Sequence, residues 1–269
     1  MKNWPFWIGF VAIGATIAIA YWLFYRPEPP DSAQVSVPPP VSAPQAEPVI
    51  QHPLTTDAAE LKAAESVIDL EQPLPTLKQS DTPMAKILAR LFADQPLDRF
   101  FILDHFIERF VVMVDNLSGP QLPVVRRPIK PTAGQFMVSG EKGNLTIVPA
   151  NYQRYTPLVK MLAALDTEQV VAVYKRFYPL FQQAYEGLGY PDAYFNDRLI
   201  EVIDHLLTTP PVSGPVYLVR PKALYLYADP ALEELSSGRK ILIRCGPENA
   251  AQIKAMLHRY RRALTADKE

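Results

Sequence analysis

From Trp4 to Tyr25 the chain carries no charged residue. At about 1.5 Å of rise per residue, a run of roughly 20 apolar residues matches the hydrocarbon core of a bilayer. Lys2 and Arg26 bracket the run, and Trp4, Trp7, Tyr21, Trp22 and Tyr25 crowd its two ends, where amphipathic rings favour the lipid–water interface. The pattern predicts a transmembrane anchor over residues 1–26. Ala18-Ile19-Ala20 resembles a cleavage site, so a removable secretion signal is the competing reading, although the apolar run continues past it through Phe24. Lys2 with the terminal amine gives the first flank a slight basic excess, and no lysine or arginine follows Arg26 until Lys62. Both observations orient the N-terminus to the cytoplasm and export the rest.

Periodicity then stops. Proline recurs at positions 27, 29, 30, 38, 39, 40, 44, 48 and 53, which removes amide donors and favours extended polyproline II. Between Pro27 and Asp81 nine acidic residues face two basic ones, a net charge of −7. Residues 27–80 therefore read as a disordered, proline-rich tether. As a coil its residues span about 40 Å, and fully extended roughly 170 Å. Ala58 to Leu70 is predicted as a transient helix inside it, and the run Pro38 to Pro40 alternatively suits a partner's aromatic groove.

Helical spacing resumes at Asp81-Thr82-Pro83, where Asp81 reads as an N-cap ahead of Ile87, Leu88 and Leu91. A core helix is predicted from Asp98 to about Leu117, with Leu103, Phe106, Ile107, Phe110, Val111, Val114 and Leu117 on its apolar stripe. Prolines 123, 128 and 131 with Arg126, Arg127 and Lys130 make the next stretch a basic loop. Phe136 to Ser139 and Asn144 to Val148 flank Gly140-Glu141-Lys142-Gly143 as a hairpin. Asn151 to Ala164 reads as a short helix. A longer one spans Thr167 to Gly187, with its cap at Thr167 and Glu168, a single apolar face (Val170, Tyr174, Phe177, Tyr178, Phe181, Tyr185) and a kink at Pro179. Asn196 to Leu207 follows as a helix capped by Asn196. Val216 to Val219 and Leu224 to Tyr227 are strands or extended loops, and two helices close the chain, Leu232 to Cys245 and one opened by Pro247. The class is α+β, mainly α: a compact helical domain with a short hairpin or small sheet over residues 81–265.

Composition narrows the chemistry. A formal net charge of −1 lacks the basic excess of a nucleic-acid binder, so no nucleic-acid partner is expected. The single Cys245 excludes an intramolecular disulfide and reads as a small buried hydrophobe. His52, His105, His205 and His258 show no zinc-ligand spacing, and neither a metal nor a cofactor is expected.

The densest polar cluster is Asn196, Asp197, Arg198, Glu201, Asp204 and His205. Spacings of three and four place Asp197, Glu201, Asp204 and His205 on adjacent parts of one helix face, which suits either acid–base chemistry or a solvated face with i,i+4 pairs. Tyr190 and Tyr194, near a turn, are candidates for a stacking rim, and Arg126, Arg127 and Lys130 for binding anionic lipid, glycan or an acidic partner.

Several segments carry a family resemblance: Leu74-Pro75-Thr76-Leu77 followed by Ser80-Asp81, Arg109-Phe110-Val111-Val112 with Val114-Asp115-Asn116-Leu117, Pro149-Ala150-Asn151-Tyr152, and above all Arg176 to Leu207, continued in Gly246 to Leu257. On these the chain resembles the bacterial domain-of-unknown-function family 3014, found in membrane-anchored envelope proteins. The resemblance covers Leu74 to about Leu264; it implies a bacterial envelope setting and brings no catalytic residues with it.

Three functions compete. The first is a non-enzymatic envelope module, held in the inner membrane by residues 1–26, whose periplasmic domain binds protein or cell-wall material. The second is an envelope glycan hydrolase or lyase using Asp197, Glu201 or Asp204, with Tyr190 and Tyr194 as the rim. The third is a scaffold that oligomerises through its anchor.

Overall fold

The computed structural model describes residues 49–55, 62, 65–70, 72–93, 95–141 and 143–265. In chain order these form helices α1 (Asp81–Leu91) and α2 (Phe106–Leu117), strands β1 (Val138–Ser139) and β2 (Leu145–Ile147), and helices α3 (Pro149–Tyr152), α4 (Thr156–Ala163), α5 (Thr167–Glu186) and α6 (Phe195–Leu207). Strands β3 (Tyr217–Val219) and β4 (Leu226–Tyr227) and helices α7 (Pro230–Glu233), α8 (Ser237–Cys245) and α9 (Pro247–Thr265) complete them. The chain is thus mainly helical with one small sheet. The anchor expected over residues 1–26 and the tether up to residue 48 lie outside the described residues; among the described residues no helix is long and apolar enough to cross a membrane.

Helix α5 is the centre. Val171, Ala172, Val173, Tyr174, Phe177, Leu180, Phe181, Ala184 and Tyr185 are all buried, and the four consecutive ones, Val171 to Tyr174, cannot share one face of a 3.6-residue helix. The helix is therefore enclosed by α2, α6 and α9 rather than laid on a surface by a single stripe. It runs on through Pro179, which is exposed, and its cap is Asp166, whose carboxylate accepts from the Gln169 amide at 2.9 Å; the expected cap at Thr167 and Glu168 is one residue late. Around it Ile107, Val111 and Phe195 are wholly inaccessible, each contributing about 1.5–3 kcal/mol by leaving water.

The hairpin grows into a four-stranded antiparallel sheet in the order β1-β2-β3-β4, with Val138 opposite Ile147, Leu145 opposite Leu218, and Leu218 opposite Tyr227. Ile147, Leu218 and Tyr227 alternate inward onto Val216 and Ile243 to form a second apolar cluster. Gly140 turns the hairpin at φ 102°, where a Cβ would stand 2.2 Å from the Asn144 carbonyl oxygen, so only glycine fits.

Several boundaries differ from the sequence reading. The helix expected from Asp98 begins at Phe106, because Phe101 is drawn into an antiparallel bridge with Ile129 and His105 takes a left-handed φ of 51°. Asp81 does not cap α1: its carboxylate instead accepts from the His105 and Phe106 amides at 2.9 and 3.2 Å, starting α2 from a distance. The short helix expected at Asn151 to Ala164 is two, α3 and α4, and the one at Leu232 to Cys245 divides into α7 and α8, capped by Asp229 and Ser236.

The largest correction concerns the tether. Residues 48–269 form one compact unit, so the fold starts well before Asp81. Val67 and Ile68 are 4% and 5% exposed inside the main core, with Leu54, Leu70, Leu74 and Leu77 packed against it. Residues 65–70 are turn and extended chain rather than the helix expected there. Apolar contacts hold this stretch despite its acidic, proline-rich composition.

Candidate functional site

Helix α6 starts without a side-chain cap at Tyr194. Two donors of its first turn are satisfied from α5 instead: Gln182 Oε1 accepts from the Phe195 amide at 2.9 Å, and the Tyr178 hydroxyl accepts from the Asn196 amide at 3.3 Å while donating to Gln182 Oε1 at 2.9 Å. Gln182 Nε2 also donates to the Ala193 carbonyl, fixing the turn that enters the helix. Burial pushes the Tyr174 and Tyr178 phenols well above their ordinary range, so both hydroxyls stay protonated.

Asn196 is not the cap the sequence suggests. Its side chain is wholly buried; Oδ1 accepts from the Tyr174 hydroxyl at 3.3 Å, and Nδ2 donates to the His52 carbonyl at 2.9 Å. Next to it Asp197 Oδ1 accepts from the His52 amide at 2.7 Å and Oδ2 from the Gln51 amide at 2.9 Å. The Tyr194 hydroxyl accepts from the Leu54 amide at 3.1 Å. Tyr194 at the N-cap position, with Asn196 and Asp197 of α6, thus holds four main-chain groups of residues 51–54, a segment that bends at Gln51 and His52. Its side chains alternate, with His52 and Leu54 half-buried and Gln51, Pro53 and Thr55 exposed, and Leu54 reaches the main core. Asp197 also sits in the first turn of the helix, at the positive end of its dipole.

The remaining members of the expected cluster turn elsewhere. Arg198 Nε reaches Asp115 Oδ1 at 3.0 Å and its Nη1 reaches Glu201 Oε2 at 2.9 Å. Burial is the largest single influence on this guanidinium and lowers its pKa, but Glu201 and Asp115 together outweigh it and raise the net value. Asp204 is gripped by both arms of Arg261 from α9. His205 Nε2 meets Ser236 Oγ at 2.7 Å at the start of α8, and burial, with Arg239 next, lowers its pKa. Asp197, Glu201, Asp204 and His205 therefore share a helix but not a centre. Each of the three carboxylates is engaged by a different partner: Asp197 by the Gln51 and His52 amides, Glu201 by Arg198 and Asp204 by Arg261. Among the described residues no group of three or more His, Cys, Asp or Glu stands ready to hold a metal.

Tyr190 is 42% exposed but stacks on Tyr185 with centroids 4.8 Å apart, while the Tyr194 ring packs 5.1 Å from that of Tyr178. The two tyrosines thus form no common rim: one lies on the aromatic core and the other faces the Leu54 segment. In the basic loop Lys130 Nζ donates to the Asp98 carbonyl and Arg127 Nε to that of Val124, and Arg126 projects outward. Sequence reasoning missed residues 51–54 altogether, because their role rests on main-chain amides and carbonyls that carry no residue signature.

No curated protein and no solved structure matches the chain. The family described as protein of unknown function DUF3014 matches residues 106–261, which take in α2 through most of α9 and so all of α6 with its Asn196 and Asp197. Over more than half of its length, then, the chain belongs to the DUF3014 family.

Proposed function

We propose that this protein is a single-pass envelope protein of a bacterial inner membrane, with its N-terminus cytoplasmic and its periplasmic domain acting as a binding module rather than an enzyme. The uncharged, aromatic-flanked run from Trp4 to Tyr25 supports the anchorage. One observation carries the binding reading: Tyr194, Asn196 and Asp197 grasp the backbone of residues 51–54 at four points, while the side chains there alternate between exposed and half-buried. Main-chain recognition with alternate side-chain contacts is how proteins take up extended peptides. The partner in this reading is an envelope protein or a peptide-bearing cell-wall component that presents such a backbone in place of residues 51–54.

Competition tests it. Replacing Gln51→Pro together with His52→Pro removes the two amides that Asp197 accepts, loosening the segment's hold while leaving Tyr194, Asn196 and Asp197 unaltered. In detergent, the full-length double variant is expected to bind a fluorescent peptide of the sequence 49–55, the unmodified chain to bind it at least tenfold more weakly, and added Asp197→Asn to abolish uptake. Failure of the double variant to bind the peptide, with no partner recovered from crosslinked envelopes or sacculi, sinks the reading.

A further inference from the structure

Between Asn116 and Gly140 the chain has no acidic residue and three basic ones, Arg126, Arg127 and Lys130. At the tip of this stretch lies a single 3-10 turn, Val124–Arg126, whose Val124 and Val125 are 64% and 82% exposed. Two adjacent valines this bare have no packing role inside the domain, and the turn is built so that they stay out. The Arg109 guanidinium takes the Val125 carbonyl and Arg127 Nε the Val124 carbonyl, turning the polar backbone inward. Below the tip the loop is pinned: Pro128 is buried, the Ile102 amide donates to the Pro128 carbonyl at 2.7 Å, and the Lys130 amide donates to that of Phe100 at 2.8 Å. Of the carboxylates near the turn, Asp104 faces Arg109 at 3.8 Å and Glu108 faces His105 at 3.3 Å. Arg126 makes no ion pair among the described residues, and no acidic side chain of the loop offsets it.

We infer that this turn is a wedge that seats the domain on an anionic bilayer, Val124 and Val125 entering the acyl boundary while Arg126 and Arg127 meet lipid phosphates. Apolar tips beside guanidinium groups are the chemistry of interfacial binding, in which buried apolar area and attraction to anionic headgroups add. Charge selects the occupant: guanidinium groups with no acidic side chain between Asn116 and Gly140, set beside two bare valines, complement lipid phosphates over an acyl boundary, and the apolar run Trp4 to Tyr25 puts a bilayer on the same chain. This rests on the anchorage proposed above.

The test uses the full chain carrying Val125→Cys labelled with a polarity-sensitive dye; Cys245 is buried, with its thiol pushed up to about 12, and escapes the label. The protein is reconstituted into phosphatidylcholine vesicles with or without about one-third phosphatidylglycerol, each containing spin-labelled lipid. Quenching is expected to be at least threefold greater in the anionic vesicles, and to be lost with Arg126→Glu plus Arg127→Glu and in high salt. Equal quenching in both vesicles, in protein that floats with them, overturns the wedge alone. Protein that floats with neither overturns the anchorage and the wedge together. Quenching relieved only by an added acidic protein identifies that surface as the true partner and overturns the lipid assignment.

Discussion

Asp197 grips the backbone of His52 across 145 residues of sequence, its Oδ1 2.7 Å from the His52 amide nitrogen while Oδ2 takes the Gln51 amide. Hydrogen bonds from main-chain amides to a carboxylate, one part-buried and one exposed, are together worth about 1–3 kcal/mol. Asp197→Ala is expected to lower stability by that amount in urea and to raise amide exchange at residues 50–54 while leaving α5 protected. Unchanged exchange in that segment would show that Leu54 and the Asn196 bond hold it unaided.

The second long-range contact of this kind is Asp81 with the His105 and Phe106 amides. It does for α2 what an N-cap does locally, from another helix. Asp81→Ala should cost about 1 kcal/mol, at the middle of the range for lost caps. It should also loosen exchange in the first turn of α2 more than in α1, where Asp81 itself resides. An equal effect on both helices contradicts the assignment.

These two carboxylates also mark the limit of what the sequence discloses. The apolar spacing of Phe177, Phe181 and Ile200 is local, so α5 and α6 are legible to within a residue or two at each end. The hairpin is too, since glycines at 140 and 143 bracket its turn. What escapes is whatever depends on remote partners. The start of α2 is set by Ile129 and Asp81, which lie outside any local window. Asn196 looks like a cap because its type favours caps, yet His52 and Tyr174 claim its side chain. Val67 and Ile68 are two apolar residues in an acidic surrounding, and only the core they complete reveals their burial. The candidate cluster on α6 is visible in the sequence as residues, but its partners Asp115, Arg261 and Ser236 lie far along the chain and leave no local mark.

Cys245 supplies a probe of that core. Burial pushes its thiol up to about 12, so at pH 8 the thiolate fraction is on the order of 10⁻⁴. Iodoacetamide should therefore modify the native chain far more slowly than the unfolded one, and labelling against urea should overlay the unfolding curve followed by circular dichroism. Labelling that runs ahead of that curve would reveal local opening of α8.

His205 gives a pH dependence of determined sign. Burial, then the Arg239 guanidinium, lowers its folded pKa below the ordinary value, while Glu201 opposes and Arg198 adds slightly. The hydrogen-bond geometry agrees. Ser236 Oγ already accepts the Arg239 amide as the α8 cap, so its proton is best directed at an unprotonated Nε2. A depressed folded pKa means the unfolded chain binds the proton more readily. The stability is then fully present above about pH 6.5 and is lost as pH falls from there through the folded value. His105 has the opposite sign: its hydrogen bond to Glu108, with Asp104 next, raises its pKa, so its contribution is present below about pH 6.5 and fades as pH rises through the folded value. The comparison that isolates His205 is urea unfolding of the native chain and His205→Gln between about pH 8 and 5. The native chain's advantage should be greatest at the alkaline end and shrink on acidification, with His105 common to both proteins and cancelling. An advantage that stays constant or grows on acidification would mean that the imidazole is held charged against Glu201, and the Ser236 pairing would then have to be drawn the other way.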